Sequence, residues 1–276
     1  MTGWTWDETL YAGSAEYYRP GRMPYPPALA ETLRAELGLD GTGRLLDVGC
    51  GPGSLTLLLA PHFATAVGID ADPGMLIEAD RHARDRNITH VQWRQLRAEE
   101  LPAGLGRFRV ACFAQSFHWM DRPVVARAVR GMLQPDGVWV HVSATTHRGD
   151  DSDDPLPLPR PPWDDVQDLI FSYLGPVRRA GQSTLPTGTV GNEEVVMREA
   201  GFTVPKRIDV PGGRIVERTV DDIVASVFSL SGSAPHLFGS ARDRFEADLR
   251  RLLRTAAHGN RFCERTHDIA LAIWHP

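Results

Sequence analysis

Between residues 44 and 142, short apolar runs alternate with segments in which apolar residues recur every three or four positions. The runs have the length of strands, and the segments between them have the period of helices that bury one face. Strands that are apolar throughout and separated by helices are typical of a parallel sheet covered on both faces. The pattern predicts a doubly wound α/β core with strands at Arg44–Gly49, Thr65–Ile69, His90–Trp93, Phe108–Ala114 and Gly137–Val142, and helices at Ser54–His62, Pro73–Arg84 and Arg122–Leu133.

After Val142 the composition changes. Residues 147–165 contain six aspartates and five prolines, and such a segment can continue neither a helix nor a central strand. We interpret it as a solvated insert that leads into a cap. The following residues predict a return to the core as a helix at Gly191–Ala200 and one or two strands at Thr203–Val210 and Arg214–Arg218. Helices are predicted at Thr219–Leu230 and Ser240–Arg254, and a period of two predicts a last strand at Asp268–Trp274.

These changes predict four regions. They are an N-terminal covering segment with a first helix (1–43), the α/β core (44–146), the acidic insert and cap (147–190), and a region (191–276) that completes the sheet and carries cap helices at about 219–256.

The charge excludes several classes of function. The 276 residues include 35 acidic and 30 basic side chains, and Lys206 is the single lysine. A phosphate-binding P-loop needs a lysine after its glycines, and Schiff-base catalysis needs a desolvated lysine. The net charge of −5 and the absence of a basic stripe argue against a nucleic-acid partner.

The remaining composition predicts a cytoplasmic protein. No stretch approaches the roughly 18 to 20 apolar residues of a membrane helix, and the N-terminus lacks the pattern of a signal peptide. The three cysteines, Cys50, Cys112 and Cys263, are an odd number without the spacing of a metal site, as expected in a reducing compartment.

The strongest local motif is LLDVGCGPG at residues 45–53, where a strand runs into a glycine-rich turn and a helix. Glycines allow the backbone to turn sharply and to approach a ligand, and ligands bind beyond the strand ends of such sheets. A dinucleotide fingerprint would carry its third glycine one residue later, where Ser54 stands. Asp47, in the strand, would repel a pyrophosphate, so a nucleoside with a positive centre fits better.

Asp70 ends the second predicted strand, 17 positions after Gly53. A carboxylate at this place can accept hydrogen bonds from both hydroxyls of a ribose. Helix capping is the alternative role for an aspartate here, since Pro73 follows. We favour the ribose for Asp70 and the cap for Asp72, and we place Met75 against a purine, with core packing as the alternative.

These motifs, with RAEELP at 97–102 and AQSFHWMD at 114–121, resemble class I S-adenosylmethionine-dependent methyltransferases. The segments YRPGRMPYP at 18–26 and FHW at 117–119 are similar to the trans-aconitate methyltransferase-like group. The resemblance implies a Rossmann-like seven-stranded sheet, with S-adenosyl-L-methionine as cofactor and S-adenosyl-L-homocysteine as product. It implies cofactor contacts by Tyr18, Arg19, Asp47, Gly49, Cys50, Gly51, Gly53, Asp70, Ala71, Met75, Ala98, Glu99, Gln115 and Ser116.

Methyl transfer is a displacement at an electrophilic carbon, so it requires alignment and exclusion of water. We expect no metal, since no HExxH motif or cysteine cluster is present. His118 is a candidate general base, with a packing role as the alternative. Candidates for the walls of the acceptor site are Phe117, Trp119, Tyr173 and Phe228, and Arg19 and Arg178 are candidates for binding an acidic group.

The sequence predicts methyl transfer to a small-molecule oxygen, either a carboxylate or a hydroxyl. Two alternatives stay open at this point: a nicotinamide-dependent oxidoreductase, and a protein that binds S-adenosylmethionine without catalysis. We expect no nucleic-acid or membrane partner, and the sequence gives no oligomeric state.

Overall fold

The computed structural model describes residues 7–180, 183–184 and 191–276. Two helices precede the sheet, and strands and helices then alternate up to residue 143. The elements of this half are α1 (Ala15–Gly21), α2 (Pro27–Leu37), β1 (Arg44–Val48), α3 (Ser54–Leu59), β2 (Thr65–Asp70), α4 (Pro73–Asp85), β3 (Val91–Gln95), β4 (Phe108–Ala114), α5 (Arg122–Met132) and β5 (Leu133–Ser143).

The second half adds cap helices and the strands that complete the sheet. Its elements are α6 (Trp163–Leu174), the two-residue strands β6 (Arg179–Ala180) and β7 (Ser183–Thr184), α7 (Glu193–Glu199), β8 (Lys206–Val210), β9 (Ile215–Thr219), α8 (Val220–Phe228), α9 (Arg242–Ala256), β10 (Arg261–Arg265) and β11 (Ile269–Trp274). Within the described ranges, no helix is both long and apolar enough to cross a bilayer.

Seven strands form one sheet in the order β3-β2-β1-β4-β5-β11-β8. Strands β1 to β5 are parallel, and β11 runs antiparallel to both of its neighbours. Helices α2 and α3 bury their apolar faces on one side of the sheet, and α5 and α7 on the other. The predicted doubly wound, Rossmann-like seven-stranded architecture is confirmed. The strand order reverses between β1 and β4, and a ligand site is expected at such a reversal.

Helix α4 illustrates how the local sequence sets these elements. Asp72 Oδ1 accepts hydrogen bonds from the backbone N–H groups of Gly74 and Met75, at 2.7 and 3.2 Å, and Pro73 occupies the first turn. This is the capping role predicted for Asp72. The cap fixes where β2 ends and where the helix beside Asp70 begins.

A third hydrophobic cluster lies between α6, α8 and α9, and we use the word cap for these three helices. The strand predicted at Arg214–Arg218 does not join the core. As β9 it pairs antiparallel with β10 in a separate two-stranded sheet. The prediction failed because the pairing partner, Arg261–Arg265, lies beyond two helices, and strand patterns do not reveal such distant partners.

Candidate functional site

Two adjoining cavities open at the carboxyl ends of β1, β2 and β4, and together we call them the cleft. The space between the walls of the first, including the part that is open to solvent, is about 680 Å³. Both cavities are lined by Tyr18, Gly49, Gly51, Ala114 and Gln115, so the cleft is continuous. Its walls in the first cavity also include Tyr11, Asp70, Ala71, Met75, Leu96, Arg97, Ala98, Glu99, Trp119 and Met120.

The glycine turn forms the floor of the cleft, and its three glycines serve different purposes. A Cβ at Gly49 would lie 2.6 Å from Ser116 Cβ, and one at Gly53 would lie 2.6 Å from the ring of Trp93. These two positions therefore allow close packing, and Gly53 does not line the cleft. Gly51 has φ +53°, and apart from its own chain neighbours no described residue has a heavy atom within 4 Å of its would-be Cβ. This glycine leaves room for a ligand.

Asp70 lines the first cavity and is held there by backbone N–H groups. Its Oδ2 accepts from the N–H of Gly51 at 2.8 Å, and its Oδ1 accepts from the N–H of Asp72 at 2.9 Å. Burial raises the pKa of Asp70 to about 6. Each carboxylate oxygen keeps a second lone pair, so the group can still accept hydrogen bonds from two ligand hydroxyls.

Asp47 lies in the second cavity and is 1% exposed. Its Oδ2 accepts from the hydroxyl of Thr56 at 2.5 Å, whereas Oδ1 is buried without a hydrogen-bond partner among the described residues. Burial raises the pKa of Asp47 to about 7, and the nearby charge of Asp70 adds to this effect. An unpaired buried carboxylate oxygen is energetically costly, and a bound cation would satisfy it.

The far end of the first cavity suits an apolar, planar group. Met75 is 2% exposed and Ala98 is 6% exposed, and both side chains line the wall. Glu99 also lines this cavity, and its Oε1 accepts from the N–H of Asp121 at 2.8 Å. A purine would have apolar contact on this wall and a carboxylate at its edge.

The turn after β4 places two neighbouring residues differently. Gln115 adopts φ +53°, an unusual conformation for a residue with a side chain, and lines both cavities. The hydroxyl of Ser116 instead donates to the carbonyl of Val48 at 2.5 Å and lies outside the cleft. Of these two predicted cofactor contacts, the structure thus places Gln115 in the cleft, while Ser116 ties the end of β4 to β1. Cys50 lines the second cavity.

The N-terminal segment covers the cleft. Tyr18 and Arg19, two predicted cofactor contacts, line the second cavity, and Arg19 is half-exposed and lies 3.5 Å from Asp85. Tyr11 was not predicted. Its ring packs against that of Trp119 with 5.9 Å between the centroids, and both line the first cavity.

Arg22 is a second residue that the sequence reasoning did not assign. Its guanidinium donates to the hydroxyl and carbonyl of Ser229 at 2.8 and 3.1 Å, approaches Thr146 Oγ1 at 3.5 Å, and lies 4.6 Å from the centroid of the Tyr18 ring. Among the described residues, no carboxylate pairs with it. The motif YRPGRMPYP contains both Arg19 and Arg22, but sequence spacing does not show which of the two arginines faces the cleft.

Besides Gly53, Ser116 and His118, four predicted residues do not line the cleft. Phe228 is fully buried in the cap, and Tyr173 donates to Asp248 at 2.6 Å there. Phe117 packs in the core, 5.4 Å from Phe113 between ring centroids. Each of these three rings packs in a hydrophobic cluster away from the cleft, and their assignment as walls of the acceptor site stays a prediction. Arg178, a candidate anion clamp, stacks over Phe171 in the cap region.

His118 lines a separate pocket beside Arg122 and His141. Burial and the charge of Arg122 lower the pKa of His118 to about 4, so the ring is neutral at pH 7. Within the described ranges, no three His, Cys, Asp or Glu side chains converge in the manner of a metal site.

Comparison with known proteins bears on the domain around the cleft. A methyltransferase domain model matches residues 45–137. The ubiquinone biosynthesis O-methyltransferase of Azorhizobium caulinodans is 36% identical over 112 residues, which are 40% of this chain and 42% of that protein. The uncharacterized methyltransferase YcgJ of Bacillus subtilis is 29% identical over 132 residues, 48% of this chain and 52% of its own length.

The chain thus spans about half the length of these relatives. Among solved structures, a putative type II methyltransferase from Anaeromyxobacter dehalogenans superposes with a TM-score of 0.55 at 22% identity, over 91% of this chain and 95% of that one. The domain match and the shared sheet topology agree with each other. Residues 45–137 match a methyltransferase domain, and the chain has the α/β, Rossmann-like class I fold of its methyltransferase structural neighbour.

Proposed function

We propose that the protein transfers the methyl group of S-adenosylmethionine to an oxygen of a small-molecule acceptor. The observation that carries this proposal is the pair of buried carboxylates at two points of one cleft. Asp70 has lone pairs for hydroxyl donors, and Asp47 has an unsatisfied oxygen for a cation. A nucleoside joined to an amino acid meets both requirements. A dinucleotide fits less well, because its second nucleoside carries a phosphate that would lie against the carboxylate of Asp47.

The cofactor's polar groups find complementary partners along the cleft. Asp70 would accept from the ribose, Asp47 from the ammonium, and Arg22 would bind the carboxylate of the amino-acid end. Met75 and Ala98 would contact the adenine. Three features of the cleft fit this cofactor. They are the free lone pairs of Asp70, the Oδ1 of Asp47, which has no partner among the described residues, and the open space beside Gly51. When bound, the cofactor supplies an electrophilic methyl group on a positively charged sulfur.

The chain's own contribution is then alignment and exclusion of water. Gln115 lines both cavities at the junction between the ribose end and the amino-acid end. Tyr11 and Trp119 form an aromatic wall beside it, one from the N-terminal segment and one from the turn after β4. Their contact joins these two segments where both line the first cavity.

An acceptor that is already ionised suits the cleft best, and we propose a carboxylate. His82 is the one histidine among the described residues that line the cleft, and its Nδ1 lies 3.2 Å from the carbonyl of Pro52. A carbonyl only accepts, so this nitrogen donates its proton and holds the glycine turn. A carboxylate needs no base, and Arg19 at the edge of the cleft would attract it.

Calorimetry on the intact chain tests the cofactor. Titration with S-adenosylhomocysteine should show one site, and titration with a nicotinamide dinucleotide should show none. Binding of the dinucleotide alone would reverse the assignment and favour an oxidoreductase. A methyl-transfer screen over small carboxylic acids, phenols and amines then tests the reaction. Tight cofactor binding without turnover on any class would favour a binding protein.

A further inference from the structure

A buried ion pair contacts the end of α1, the N-terminal helix whose residues Tyr18 and Arg19 line the cleft. Arg218 in β9 and Glu264 in β10 are 3% and 1% exposed, and Arg218 Nη1 donates to Glu264 Oε2 at 3.0 Å. The other carboxylate oxygen, Oε1, accepts from the N–H of Gly149 at 2.7 Å and from the indole of Trp163 at 2.8 Å. Glu264 therefore joins the segment after β5 to the start of α6.

Arg218 connects this pair to the N-terminal segment. Its Nη2 donates to the carbonyl of Gly21, the last residue of α1, and to the carbonyl of Asp222 in α8, both at 3.0 Å. A Cβ at Gly21 would lie 2.5 Å from the backbone of Ala225. The end of α1 thus rests directly on α8, and the guanidinium holds the two backbones together.

The residue after Gly21 is Arg22, which faces the cleft. Its partners, Thr146 and Ser229, come from the segment after β5 and from the residue that follows α8. The buried pair forms hydrogen bonds with these same two regions, Glu264 with Gly149 and Arg218 with Asp222. Both sets of hydrogen bonds therefore fix one geometry, in which α1 presents Arg22 and Tyr18 to the second cavity.

We infer that Arg218 and Glu264 are positioning residues for cofactor binding, which they promote by holding Arg22 in place before the ligand arrives. This inference rests on the proposed function, in which Arg22 binds the cofactor's carboxylate. A buried ion pair is rarely the most stable choice, because apolar residues of similar size often replace it without loss of stability. Its value here is the fixed position of α1, since preorganisation lowers the entropy lost on binding.

The test uses the double variant Arg218→Met/Glu264→Gln in the intact chain. Glutamine still offers Oε1 to Gly149 and Trp163, and methionine fills the space of the arginine stem, so no unpaired charge is left buried. The matched control is Arg261→Met/Glu217→Gln. That pair spans the same two strands at 3.0 Å, but both side chains are about half exposed.

We expect the double variant to unfold at a midpoint temperature within a few degrees of the wild type, while its affinity for S-adenosylhomocysteine falls about tenfold. The control should keep wild-type affinity. The decisive readout is Arg22→Met in both backgrounds. It should weaken binding strongly in the wild type and little in the double variant, because coupled residues are not additive.

Each outcome bears on a distinct claim. If the wild type does not bind S-adenosylhomocysteine, the proposed function itself fails. If the wild type binds and the double variant binds equally well, the pair does not position the cleft. Additive effects of Arg22→Met in the two backgrounds would reduce Arg218 and Glu264 to general structural support and overturn the inference.

Discussion

Replacing Asp47 by Asn should stabilise the ligand-free protein and remove most of its affinity for the cofactor. The carboxyl group is buried, and among the described residues only its Oδ2 has a hydrogen-bond partner, the hydroxyl of Thr56. Asparagine has the same shape, and its carbonyl oxygen can accept that hydrogen bond. The amide nitrogen would then occupy the place of Oδ1, where it cannot accept from an ammonium.

The size of the stabilisation follows from the pKa. Burial raises the pKa of Asp47 from 3.8 to about 7, so the folded chain binds this proton more tightly than the unfolded chain. The penalty for ionisation is absent below pH 4 and complete above pH 7. At about 1.4 kcal/mol per pKa unit, the ionisation of Asp47 lowers the free energy of unfolding by up to about 4 kcal/mol.

Urea unfolding at pH 5 and pH 8 measures this difference. The variant should gain stability over the wild type at pH 8 and much less at pH 5. Calorimetry at pH 8 should show roughly 100-fold weaker binding of S-adenosylhomocysteine, the typical loss when one partner of a buried charged pair is removed. The control is Asp40→Asn, because Asp40 also accepts from a threonine hydroxyl but is exposed. A variant less stable than the wild type at pH 8, or one with unchanged affinity, would refute this account of Asp47.

Three further substitutions each test the role of one candidate residue. Asp70→Ala should weaken cofactor binding by roughly 1 to 3 kcal/mol, and unchanged affinity in calorimetry would remove its ribose role. Gly51→Ala should lose more affinity than stability, because its Cβ enters open space in the cleft, whereas Gly38→Ala has a similar φ of +57° and should lose stability alone. His118→Asn should lower turnover by less than about tenfold, and a loss in the range of general-base removal, roughly 100-fold or more, would restore His118 as the base.

The parallel half of the sheet could be predicted closely because its strands are apolar runs with helices between them. The predicted Phe108–Ala114 matches β4 at both ends, and Pro73–Arg84 is one residue shorter than α4. The partly exposed β3 was placed less well, since its predicted range, His90–Trp93, ends two residues early. Burial on both faces gives a strong pattern, and partial exposure weakens it.

The residues of the candidate site also differ in how well the sequence predicted their positions. Asp47, Gly51 and Asp70 follow directly from strand ends, so their spacing places them in the cleft. Tyr11 and Arg22 reach it only through the packing of α1 on α8, which depends on contacts more than 200 residues apart. Local patterns do not contain that information.

The position of β11 also sets the order in which the sheet can assemble. This strand lies between β5 and β8, so residues 206–210 have no partner in the sheet until residues 269–274 have docked. Ser143 and Ile269 lie 126 positions apart in the sequence, and bringing such distant segments together slows folding. The cap helices lie within that span, and their prior collapse would shorten the loop to be closed. In pulsed hydrogen exchange during refolding, amides of β8 should become protected after those of β1 and β4.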